Sequence, residues 1–286
     1  MKKFKQKLLQ QQHRLAFTMD LVADRRVWQF ALHSGLACWG NSKGNAMGYM
    51  TDERRMIQET ARAFAMKEVL PVANRLDPEK GDIPRELIQK IADMGYFGIV
   101  IPEQYGGLGL GVFEYCLITE ELARAWMSVA SIIARGNLLI GAHMMSEEQK
   151  DRFLRRMAKG EFLGAFSMSE PNAGSDIANI SCRARKDGTG YLISGNKYWC
   201  TFADGADFLI IIARTSDAPP GKRHMGLSMF FVEKKRGTLP KGVSGAPIPK
   251  IGYFGWKTYE LAFDNFRVEA SDMIGEEGHA FYYATS

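Results

Sequence analysis

Near residue 161 the chain changes its hydrophobic period, and that change limits the folds open to it. Before it, apolar residues recur at helical spacing. Met56, Ile57, Ala61, Phe64, Ala65 and Val69 share one face; Leu87, Ile88, Ile91 and Met94 share another. After it come short β-rich runs: LGAFSM, YLISGNKYWCT, DFLIIIAR, LSMFFVEK and YELAFDNF, separated by turn formers such as KDGTG and SDAPPGK. Helices first and strands afterwards exclude the alternating order of a doubly wound sheet. The expectation is an α+β chain, a helical domain followed by an antiparallel β-barrel-like domain.

Local signals refine this. Thr51 can cap a helix whose first turn carries Asp52 and Glu53. Pro71 is expected to end or kink that helix. Pro84 opens the next and Gly95 stops it. A third helix is expected from Val112 to Ala134, with Leu117, Ile118, Leu122, Trp126 and Val129 inward. A fourth starts at Ser146, which Gln149 can answer as a capping box. The run GGLGLG, Gly106 to Gly111, has valine where a dinucleotide fingerprint needs its third glycine, so it reads as a glycine-rich loop between helices. Residues 4–32 suggest a loose amphipathic helix, and Gly40 to Gly48 a linker.

The net charge of +5 in 286 residues is mild, with lysines gathered at the start. A solvated face accounts for them, so no nucleic-acid partner is expected. Four cysteines, without a CxxC pair or a nearby histidine at ligand spacing, argue against zinc and against a disulfide framework. No apolar run is long enough for a transmembrane segment, and no secretory signal is evident. A cytoplasmic location is expected.

Two stretches carry chemistry. FSMSEPNAGSD, Phe166 to Asp176, leaves a strand, passes Pro171 and turns at Gly174, which allows close backbone approach. Ser167, Ser169 and Ser175 offer hydroxyls that donate and accept. On residues alone, a polar turn and a ligand loop both fit. KYWCT, Lys197 to Thr201, ends a strand on a tryptophan and a threonine. An indole there is either core or the packing partner of a flat heteroaromatic ring.

Together the two stretches resemble the acyl-CoA dehydrogenase family. SMSEPNAGSD is similar to its TEP-x-AGSD signature and SGNKYWCT to its NG-x-K-x-W-I-T motif. Ile101 to Leu110, Ser146 to Leu154 and Phe263 to Phe281 match in order and spacing. The resemblance runs from about residue 50 to the last residue. It implies an extension and linker over 1–48, a helical N-terminal domain over 49–160, a β-barrel middle domain over 161–275 and the start of a C-terminal segment over 276–286. It implies an FAD cofactor and an acyl-CoA substrate, oxidised between its α and β carbons. Phe166, Met168 and Ser169 would meet the isoalloxazine edge. Gly174 and Ser175 would lie near the pyrophosphate, Ser175 also near the CoA portion. Trp199 would back the ring, Cys200 would adjoin it, and Thr201 would bond near N5. The family's base sits on a C-terminal helical domain. The sequence ends at Ser286, so the resemblance implies no catalytic base within the chain, and a homo-oligomer or complementing C-terminal chain as partner. A non-catalytic homologue, an interaction module, and a nitroalkane oxidase or flavin monooxygenase on the same frame are the alternatives.

Overall fold

The computed structural model describes residues 49–137 and 142–285. The chain divides into two compact units, Met1–Met56 and Ile57–Ser286. Expectations for residues 4–32 and 40–48 fall outside the described residues.

Helix α1 (Asp52–Phe64) begins as its sequence dictates, with the Arg54 amide donating to Thr51 Oγ1 at 3.2 Å. Ile57, Ala61 and Phe64 are buried. Pro71 does not end the helical path. A π turn over Ala65–Val69 leads into α2 (Leu70–Leu76), where proline falls in the first turn. A proline there gives up an amide that a helix start leaves unbonded. Helix α3 (Arg85–Asp93) follows Pro84 and stops where Gly95 turns left-handed at φ 77°.

The glycine-rich loop folds on itself between helices. Leu108 and Leu110 amides donate to the Gly98 and Ile99 carbonyls at 2.7 and 2.8 Å. A Cβ on Gly107 would lie 2.0 Å from the Ile101 oxygen, so only glycine fits.

The expected third helix is two helices. α4 (Val112–Ala125) and α5 (Met127–Ile132) are separated at Trp126, whose backbone is extended (φ −159°, ψ 109°). The break lets the indole N–H donate to Asp77 Oδ1 at 2.8 Å, a bond that no local pattern announces. A short α6 (Ala134–Asn137) follows. α7 (Glu147–Ala158) carries the capping box: Gln149 N donates to Ser146 Oγ and Ser146 N to Gln149 Oε1, at 3.1 and 3.0 Å.

Among the described residues, eight strands form one mostly antiparallel sheet. They are β1 (Gly164–Ser167), β2 (Arg183–Asp187), β3 (Gly190–Thr201), β4 (Phe208–Arg214), β5 (Leu227–Glu233), β6 (Val243–Pro247), β7 (Thr258–Glu269) and β8 (Met273–Ile274). The order is β6-β7-β3-β2-β4-β5-β8, with β1 beside β4. β1 runs parallel to β4, and β2 touches β4 in parallel, so the sheet departs from purely antiparallel pairing. A last helix, α8, spans Ala280–Thr285.

β4 shows how the sheet is held. Phe208, Ile210 and Ile212 face a cluster with Phe153, Leu154 and Met157 of α7, while Leu209, Ile211 and Ala213 face a second cluster shared with β3, β5, β6 and β7. A strand buried on both faces reads as a continuous apolar run, which is what FLIIIA is. Phe208 stacks on Phe231 with centroids 4.0 Å apart, and Phe153 on Phe231 at 4.4 Å. This pinned layer holds β1, and with it the segment that leaves β1 at Ser167.

Candidate flavin site

β3 explains the site. Tyr191, Ile193 and Lys197 are buried at alternate positions, so the strand's inward face is set by period two. Trp199 should follow them inward. It does not. The register against β7 shifts between Lys197 and Cys200, and Trp199 takes φ 61°, a left-handed backbone that a bulky residue rarely adopts. The irregularity turns Cys200 into the core and leaves the indole 55% exposed. A strained backbone presenting a large apolar ring to solvent has no folding rationale, and such outliers gather at functional sites.

The other half of the bed arrives from β1. After Ser167 the chain runs past Met168 and Ser169, and the Tyr198 amide donates to the Ser169 carbonyl at 2.7 Å. The two sequence motifs are therefore adjacent strand ends. The tight turn falls at Pro171 and Asn172, closed by the Glu170 and Ala173 amides and carbonyls at 2.8 and 3.1 Å, and not at Gly174 as expected. Gly174 has no positive φ, and a Cβ there would meet nothing. The chain itself does not need glycine at this position, which leaves room for something outside it.

Beneath the bed lies a buried ion pair that sequence reasoning missed. Lys197 Nζ donates to the Met168 carbonyl at 2.8 Å and to Glu170 Oε1 at 2.9 Å. Glu170 Oε1 also accepts from Cys182 N, and Oε2 from Ser181 N and Oγ, at 2.7–2.9 Å. Burial alone would raise the Glu170 pKa. The Lys197 charge, its hydrogen bond and the Ser181 donors outweigh it and hold the carboxyl below its ordinary value. Burial pulls the Lys197 ammonium down, opposed by Glu170. With four bonds to the carboxylate and two from the ammonium, the ionised pair is the state the geometry supports. The sequence signal was there: a lysine on the inward parity of an otherwise apolar strand face.

The other candidates sort as follows. Phe166 and Met168 are half-buried against the α7 cluster. Ser169 is half-buried and Trp199 exposed; Ser175 is exposed in the loop beyond. Thr201 is half-buried, its hydroxyl 3.3 Å from that of Thr258. The Cys200 thiol is sealed in the core, and burial pushes its pKa up to about 12. Only its backbone can reach a ligand. Glu276 and Glu277 are exposed. Among the described residues no group of acidic, histidine or cysteine side chains could hold a metal, and no helix is long and apolar enough to cross a membrane.

This bed, an exposed ring flanked by hydroxyls over adjacent strand ends, fits a flat polar heterocycle with a charged tail. Comparison with known proteins gives the family. The acyl-CoA dehydrogenase N-terminal domain matches residues 51–161, and the acyl-CoA dehydrogenase middle domain matches residues 165–266. The chain belongs to the acyl-CoA dehydrogenase family. It is 37% identical over 242 residues to (2S)-methylsuccinyl-CoA dehydrogenase of Cereibacter sphaeroides, covering 81% of this chain and 43% of that protein. Butyryl-CoA dehydrogenase from Megasphaera elsdenii superposes with a TM-score of 0.73 at 30% identity, over 82% of this chain and 62% of that one. The FAD complex of PigA does so with a TM-score of 0.73 at 27% identity, over 82% and 61%. This acyl-CoA dehydrogenase homologue thus spans between about two fifths and three fifths of the relatives it matches.

Proposed function

We propose that this chain forms the flavin-holding side of an FAD-dependent acyl-CoA dehydrogenase, acting on an acyl-CoA thioester between its α and β carbons. The observation that carries the reading is Trp199: an indole turned outward by a left-handed backbone, on a strand end bonded to the Ser169 segment. The indole packs against one face of the ring system. The Ser169 and Thr201 hydroxyls, and backbone groups of Phe166, Met168 and Cys200, line its polar edge. Gly174 and Ser175 give the pyrophosphate an unobstructed loop, and Ser175 also adjoins the CoA portion.

When bound, FAD supplies the acceptor for a hydride. The protein's own contribution is orientation and electrostatics. Donors fixed on strand ends need little reorganisation, and the ion pair below fixes both ends at once. Glu170 is not the base. Both its oxygens already accept hydrogen bonds, and its carboxyl is held ionised in a structural pair. The base is sought in the part of the relatives that this chain does not match, on a second copy or on a complementing chain.

The test is an FAD titration followed by anaerobic addition of butyryl-CoA together with any complementing chain. The expected results are saturable one-to-one flavin binding and bleaching of the flavin band by the thioester. A chain that takes up no flavin overturns the reading.

A further inference from the structure

The loop between β6 and β7, residues 248–257, is held from two sides. On one side it docks on the helices. The Ser128 hydroxyl of α5 donates to the Phe254 carbonyl, and the Ser131 hydroxyl of α5 shares a hydrogen bond with the Tyr253 hydroxyl. The Ile83 amide, ahead of α3, donates to the Gly255 carbonyl at 2.8 Å. Gly255 is left-handed at φ 102°, and a Cβ there would lie 2.9 Å from Ser128 Cβ. Lys250 Nζ closes the loop on itself, donating to the Tyr253 and Trp256 carbonyls at 2.6 and 2.9 Å. On the other side the loop grips the end of β3. The Phe202 amide donates to the Lys257 carbonyl at 2.8 Å. The Trp256 indole meets the Phe202 ring edge-on, with centroids 6.3 Å apart. Thr258 pairs with Thr201, hydroxyl to hydroxyl at 3.3 Å.

Trp256 is the middle of this run of contacts. It is buried, and its Nε1 is sealed without a hydrogen-bond partner, so shape holds the ring in place. The path is also strained. Of the five described non-glycine residues with a left-handed backbone, Trp199 and Phe202 lie either side of Thr201 and Tyr253 lies in the loop. A fourth, Lys80, stands over the Phe254 ring. Such backbones persist only where their surroundings over-determine them, and they gather at functional sites.

We propose that Trp256 is a positioning residue for the flavin. Through Phe202 it fixes the Thr201 hydroxyl at the ring's polar edge, and through the loop it ties that hydroxyl to α5. The inference rests on the flavin reading above. Reduction adds negative charge to the ring, and a donor already set at its edge stabilises that charge better than one that must first be ordered. A slack loop therefore leaves the oxidised ring bound and makes it harder to reduce. Trp256 takes no part in the hydride or proton steps.

The experiment measures the midpoint potential of the bound flavin at saturating FAD, with any complementing chain present. The proteins compared are the native chain, Trp256→Leu, Thr201→Val and the double variant. Trp256→Leu shifts the equilibrium about tenfold toward the oxidised ring, about 30 mV for a two-electron couple. Thr201→Val shifts it the same way, and the double variant goes no further than Thr201→Val alone, because the loop acts through that hydroxyl. Trp256→Phe, which keeps a ring against Phe202, returns most of the native potential. Should Trp256→Leu fail to fold, Ser128→Ala, which frees the Phe254 carbonyl on the helical side, shifts the potential in the same direction. Additive shifts in the double variant, or a native potential in well-folded Trp256→Leu, overturn this inference alone. A Thr201→Val chain with the native potential overturns the placement of Thr201 and this inference with it. A native chain that takes up no FAD overturns the proposed function as well.

Discussion

Lys197 and Glu170 form a fully buried ion pair that joins the strand end carrying Trp199 to the turn that follows Ser169. Neither side chain reaches the exposed surface of the bed, yet the pair sets the distance between its halves. A buried pair of this kind is strongly destabilising to break, because the remaining charge is stranded.

Lys197→Met and Glu170→Gln are each expected to cost about 3–5 kcal/mol of folding stability. The double variant should cost less than the two singles summed, because neither charge is stranded. It does not return to the native value, since glutamine keeps one acceptor oxygen and sets an NH2 donor against the other amide, where Ser181 N and Cys182 N each meet an oxygen of Glu170. Denaturant unfolding of the four proteins checks this; strict additivity would contradict the coupling.

The pair also sets an acid limit. The Glu170 carboxyl is held below its ordinary value, and so is Glu121, chiefly through the hydrogen bond from Arg62. A carboxyl whose folded pKa lies below its unfolded one, about 4.3, adds stability above that value and loses it as pH falls through the folded one. Native stability should therefore decline from about pH 5 downward. Glu170→Gln, less stable at neutral pH, should show a shallower decline. Parallel curves would remove Glu170 from the account.

Two glycines separate fold from binding. Gly107→Ala drives a Cβ into the Ile101 carbonyl and should cost about 3 kcal/mol or more. Gly174→Ala meets no chain atom. It should leave the melting temperature unchanged and weaken FAD. A melting scan beside a flavin titration distinguishes the two; a Gly174→Ala chain with native flavin affinity would move the phosphate loop elsewhere.

Much of this was legible because it is local. Thr51 and Ser146 announce their helices by bonds three residues away, and FLIIIA declares a strand buried on both faces. What depends on distant partners was not legible. Trp126 breaks its helix for an acceptor 49 residues back in the chain. β2 and β6 carry one buried side chain each, too little pattern to call a strand from sequence. In the site, the hydroxyls and the tryptophan were visible as residue types. The register shift that aims Trp199 outward was not, nor was the lysine beneath it, because both follow from how β3 pairs with β7.

The most direct measurement is isothermal titration of FAD into the native chain and into Trp199→Gly. Glycine accepts a left-handed backbone that tryptophan tolerates only under strain, so the variant should melt within a few degrees of the native chain. Losing the ring contact should weaken FAD about tenfold or more. Native affinity in a well-folded Trp199→Gly chain, or no saturable binding by the native one, would contradict the claim that these two strand ends are the flavin's bed.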